Sequence, residues 1–159
     1  MDDALAAARL AVADAAIATR AFVSAELHNH AVALQCRRLR STEPEDRDGP
    51  TRWRIDLQFL LIELELLGQE VEVFGKTAHI DIGSAIRDYA AALSELRAMR
   101  AINADSSDGR QRVDAREFQA YDWDGTTYTW AGYKVNIDHM RAAAEKLFNA
   151  MRAAANKLS

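Results

Sequence analysis

The sequence predicts a mainly α protein on the α+β borderline: a bundle of about four helices with a long N-terminal helix and one or two small β-hairpins. Three observations carry this. Residues 2 to about 40 contain neither proline nor glycine and are dense in alanine, the strongest helix former. Near the other end Ile137, Met140, Ala144, Leu147, Met151, Ala154 and Leu158 recur at three- and four-residue spacing, the pitch of one helix face. Between them, Tyr121 to Trp130 sets an Asp-Gly pair among β-formers. With 159 residues, 49% hydrophobic and 28% charged, the chain suits a single helical domain, 1–159, with its own core and an aromatic β-hairpin at about 118–136.

The first helix carries Asp2 and Asp3 where they complement its N-terminal dipole, and Arg37, Arg38 and Arg40 in its last turn, where positive charge is favoured. One apolar stripe runs Leu5, Val12, Ala16, Val23, Leu27, Leu34. A second runs Ala6, Leu10, Ala13, Ile17, Ala21 on another face. Both are expected to be covered by neighbouring helices. Unbroken, this helix is roughly 60 Å long at about 1.5 Å per residue, longer than a domain of this size is wide. It therefore bends, or part of it packs against another subunit, and a homo-oligomer is expected.

Ser41 to Arg52 is a polar, acidic loop holding both prolines. In the next segment Trp53, Ile55, Leu57 and Phe59 alternate with polar residues as in a strand. Trp53, Leu57, Leu60, Leu64, Leu67, Val71 and Phe74 also keep helical spacing, and that spacing survives the Leu60-Leu61 pair where the alternation fails. A helix is expected over Trp53–Leu67. After Gly68, Val71–Phe74 and His79–Ile82 read as a small hairpin around Gly75-Lys76-Thr77-Ala78, with continuation of the helix to Phe74 as the rival. Ser84 is the expected N-cap of a helix to about Ile102, and Asn103–Glu117 a polar loop. A type I′ turn at Asp124-Gly125 pairs Trp123 with Thr126 and Tyr121 with Tyr128, and puts Tyr121, Trp123, Tyr128 and Trp130 on one face. Gly132 turns the chain into a third short strand, Tyr133–Asn136, before a closing helix from about Ile137 to Leu158.

The composition narrows the chemistry. Net charge is −4, from 20 basic and 24 acidic residues, which argues against a nucleic-acid partner. No apolar run is long enough to span a membrane, and the acidic start lacks the basic region of a secretory leader; the cytoplasm is the expected compartment. The lone Cys36 excludes an internal disulfide and reads as a small buried apolar residue. Alanine is frequent and arginine outnumbers lysine, which points to a GC-rich bacterial, phage or mobile-element genome.

No metal is expected. Glu26 and His30 stand four apart on the first helix, but the Glu-x-x-His pairs of a dinuclear carboxylate site are absent. His79 with Asp81, and Asp138 with His139, have no further ligands to join. Glu63, Glu65, Glu70 and Glu72 are spaced by two, five and two, which is wrong for paired Glu-x-x-Glu motifs holding Mg²⁺, and read as a solvated face. Gly75-Lys76-Thr77 resembles the end of a phosphate loop, yet Glu70 stands where that loop needs glycine. No Gly-x-Ser-x-Gly elbow exists. No cofactor is expected either.

Two functions compete. The first is a non-enzymatic, self-associating interaction or structural protein, with a second copy or another protein as partner. The alternative is a small-ligand-binding domain or enzyme whose site lies between the aromatic hairpin and the helices, lined by Tyr121, Trp123, Tyr128 and Trp130, with His28, His30 or His139 as acid–base groups. Tyr and Trp rings stack planar ligands, but they also close cores.

Overall fold

The computed structural model describes residues 2–41, 49–107, 121–130 and 132–157. Among these residues the chain forms α1 (Asp2–Ser41), α2 (Gly49–Thr77), α3 (Gly83–Ala92), α4 (Ser94–Ser107), β1 (Tyr121–Trp123), β2 (Thr127–Trp130), β3 (Tyr133–Asn136) and α5 (Ile137–Ala155). The protein is mainly α with a long N-terminal helix. That is the expected class.

Helices α1 and α2 lie antiparallel. Three contacts fix their register: His79 Nε2 to Asp14 Oδ2 at 3.6 Å, His28 Nδ1 to Glu63 Oε2 at 2.7 Å, and Arg38 Nη2 to Asp56 Oδ1 at 3.1 Å. Helix α5 closes the core against α1, α2 and α3. Phe22 of α1 meets Phe74 of α2 at 6.2 Å and Phe148 of α5 at 5.8 Å between ring centroids, the tilted geometry aromatic pairs favour. Around them Leu60, Leu64, Leu67 and Val71 of α2 and Leu147 and Met151 of α5 are fully buried.

The hairpin expected over Val71–Ile82 is not formed, because α2 runs on to Thr77. Its glycines do not end it. A Cβ on Gly68 would lie 3.3 Å from the Tyr89 ring, and one on Gly75 would lie 3.0 Å from Ile82 Cγ1. Seven residues apart, the two share a face and admit the following helix at close range. The real stop comes at His79, whose φ is 54°; the Ile80 N–H donates to the Gly75 carbonyl at 3.0 Å, the six-to-one bond of a Schellman cap.

Helix α3 starts at Gly83, one residue before the expected cap Ser84. Ile82 precedes it with no side-chain cap, while the Gly83 N–H donates to Asp81 Oδ1 at 2.9 Å. The single helix expected to Ile102 breaks at the fully buried Leu93. On either side of it α3 packs on α5, and α4 packs on β3. Helix α4 also runs to Ser107, through residues expected to open a loop; the rest of that loop falls outside the described residues. Of the loop expected over Ser41–Arg52, Ser41 ends α1 and Gly49 to Arg52 open α2, while 42–48 fall outside the described residues.

The sheet has the order β1-β2-β3, so the third strand forms as expected. The hairpin register differs by two residues. Trp123 pairs with Tyr128 and Tyr121 with Trp130, not with Thr126 and Tyr128. A type I′ turn needs positive φ at both central residues, and only Gly125, at 96°, has it. Asp124 instead turns its carboxylate inward: Oδ1 accepts the N–H groups of Thr126 at 2.8 Å and Thr127 at 2.6 Å. A side-chain turn of this kind spans more chain than a two-residue loop. Because the shift is an even number, the aromatic positions keep a common face. At the end of β3, Asn136 caps α5 by accepting the His139 N–H at 2.9 Å.

Candidate functional site

The aromatic positions of the hairpin go mainly to the core. Tyr128 and Trp130 are 5% and 6% exposed, Trp123 is half-buried against the same cluster, and the side chain of Tyr121 lies outside those described. The histidines offered as acid–base groups are not brought together. His28 is engaged with Glu63. His30 Nδ1 sits 3.0 Å from the carbonyl of Glu26 in its own helix, and the backbone of His139 serves the α5 cap.

Three of the four carboxylates expected on a solvated face are engaged, whereas Glu70 buries its Oε2 without a hydrogen-bond partner among the described residues. Glu65 accepts two bonds from Arg97, at 2.7 and 2.9 Å, and Glu72 faces Lys76 at 3.8 Å. The arginines that end α1 find partners in the fold: Arg38 pairs with Asp56, which is fully buried, and Arg40 pairs with Asp138. Among the described residues no group of three or more His, Cys, Asp and Glu side chains is placed to hold a metal, and no helix is long and apolar enough to cross a membrane. Cys36 is 1% exposed. Burial pushes its thiol up to about 11, and its Sγ lies 3.7 Å from the Ile137 carbonyl.

A groove of about 510 Å³ opens where α1 passes the ends of α2 and α5. Phe22, Val23, Phe74, Ala78 and Ala155 give it an apolar floor, with Asp14 and His79 on its wall. A shallower hollow of about 330 Å³ lies by Gly75, Ile80 and Ile86.

The largest anomaly is on the outside. In α1 the core side is Ala18, Ala21, Ala25, Val32, Cys36 and Leu39. The stripe Leu5, Val12, Ala16, Val23, Leu27, Leu34, expected to be covered by neighbouring helices, is on the opposite side and is open. Val12 is 71% exposed and Leu27 65%. Leu10 and Ile17 of the second stripe are exposed as well; only Ala21 of that set is buried. Helix α2 repeats the pattern, with Ile55, Phe59 and Ile62 each about half exposed on the side away from Leu57, Leu60 and Leu64. The register of the two helices sets Phe59 and Ile62 level with the Leu27–Leu34 stretch of α1. Together they form one apolar face across the α1–α2 pair, turned away from α5.

The chain matches no family model, no curated protein and no solved structure. The functional reading therefore rests on this face. Its α1 half was visible as a stripe in the sequence, but periodicity cannot tell which of two apolar faces the fold buries. Its α2 half was hidden inside the strand-like alternation of Trp53 to Phe59.

Proposed function

We propose that the protein is a non-enzymatic, self-associating structural or interaction protein, and that the apolar face of α1 and α2 is its binding surface. One observation carries the reading: the most regular apolar stripe of a 40-residue helix is solvent-exposed from Leu5 to Leu34. Single chains rarely expose contiguous apolar patches of more than a few hundred Å². The cytoplasm fits this reading, since Cys36 is a buried thiol, and a bacterial or phage source fits the alanine- and arginine-rich composition.

The test is the mass of the particle in solution, by light scattering coupled to gel filtration. The native chain should run as a discrete oligomer at micromolar concentration. Leu27→Glu and Phe59→Glu should each shift it to the mass of one chain with unchanged helical circular dichroism, because both side chains are half exposed or more. A native chain that stays monomeric at high concentration overturns the proposal.

A further inference from the structure

We infer that the occupant of this face is a second copy of the chain whose α1 runs antiparallel to the first, about a two-fold axis passing between Thr19 and Arg20. The inference rests on the self-association reading and adds the partner, the direction and the register. The stripe advances in alternating steps of seven and four residues, an eleven-residue period of about 3.67 residues per turn, close enough to the helix's own pitch that the stripe drifts only slowly, with a gentle right-handed bias. It is also palindromic. Positions 5 and 34, 12 and 27, and 16 and 23 each sum to 39. An antiparallel neighbour therefore sets Leu5 against Leu34, Val12 against Leu27 and Ala16 against Val23 in both halves at once, as an isologous two-fold interface requires.

The shape of the molecule selects this direction over the parallel one. Every residue from Ala4 to Leu10 is exposed, and α1 first meets the end of α2 around Asp14, beside His79, so the start of α1 overhangs the bundle, while the rest lies beside α2. In the antiparallel arrangement each overhang lies along the partner's α1–α2 pair and covers Ile55, Phe59 and Ile62 as well as the stripe. Leu10 of the overhang, and Ile17 where α1 reaches the end of α2, are on the flank that meets the partner's α2. A parallel arrangement sets overhang against overhang and leaves that use of the α2 patch unmet.

Charge and area agree. Arg9 falls level with position 30 of the partner, and the register of α1 on α2 puts that level beside Glu63 in the acidic run of α2. The eight exposed side chains Leu5, Val12, Val23, Leu27, Leu34, Ile55, Phe59 and Ile62 present together on the order of 800 Å², the amount one partner contributes to a stable interface of standard size.

The experiment is pulsed electron resonance on the full chain carrying a nitroxide at one site per copy, Thr19→Cys in one sample and Arg37→Cys in the other. Cys36 stays in place, because its buried thiol does not take the label. The antiparallel register sets the two Thr19 positions within about one interhelical distance, roughly 10 Å, and the two Arg37 positions roughly 50 Å apart along the axis. Short distances at both sites mean parallel pairing, and long distances at both mean another face; either overturns this inference and leaves self-association standing. No inter-copy distance at either site, with a one-chain mass by scattering, overturns both.

Discussion

Gly75 sits in the last turn of a 29-residue helix, still in helical conformation, where glycine costs up to about 1 kcal/mol relative to alanine. The cost is accepted because Ile82 comes to 3.0 Å of where a Cβ would be. Gly75→Ala should therefore lower stability by roughly 1 kcal/mol, overpacking outweighing the gain in helix propensity, and thermal melting reads the sign. A gain would show that Ile82 moves aside freely. Asp56 is the one fully buried charged side chain among the described residues, and Arg38 stands against it at 3.1 Å. Arg38 is itself half exposed, so Arg38→Met should cost about 1 kcal/mol in denaturant unfolding, while Arg38→Met combined with Asp56→Leu, which removes the buried carboxylate as well, should recover most of it. Cys36 supplies a pH test. Its folded-state value of about 11 lies above the ordinary value of 9.0, so the native state holds a proton that the unfolded chain loses between them. Stability from this group is whole below pH 9 and falls as pH rises towards 11; Cys36→Ala should flatten that part of the profile. At pH 8 the folded protein should resist iodoacetamide, with modification by mass spectrometry only after denaturation.

At the scale of elements, two turns carry the clearest consequences. His79 takes the left-handed cap position of α2 that glycine normally fills. Its ion contact with Asp14 is long, at 3.6 Å, and its side chain is largely exposed, so it returns little. His79→Gly should raise stability by about 0.5–1 kcal/mol, read as an increase in Tm. Asp124 organises the hairpin loop, and the Thr126 and Thr127 N–H groups on its carboxylate hold it below the usual aspartate range. This stabilisation is present above the unfolded value and is lost as pH falls through the lower folded value. Amide exchange at Thr126 and Thr127 should quicken in acid, and Asp124→Ala should reproduce the quickening at neutral pH. These turns also mark what the sequence could convey. The third strand, helix α5 and the common aromatic face were readable because Gly132, the three- and four-residue spacing that starts at Ile137 and the two-residue period each have a local cause; the Asn136 cap was not read from the sequence. The length of α2 was not readable. Gly68 and Gly75 are also the residues of a turn, and only the rings and methyls of Tyr89 and Ile82, distant in sequence, reveal them as points of close approach.

At the scale of the whole molecule, class and helix order were legible, whereas the direction faced by α1 was not. Alanines on one side and leucines and valines on the other both keep helical pitch, and the larger side chains were the natural choice for the core. The fold buries the alanine side instead, bringing α1 close to α2 and α5 and leaving the larger residues outside. An assembly built on that outer face ties folding to concentration. Tm of the native chain should rise with protein concentration and that of Leu27→Glu should not, a comparison calorimetry makes directly.

The projecting start of α1 has a consequence for proteolysis. A helix segment of this length gains little from its own backbone bonds in water and depends on packing to persist. Trypsin should therefore cut after Arg9 in dilute solution, releasing a short N-terminal peptide, and should spare that bond in concentrated samples, where a neighbour shields it.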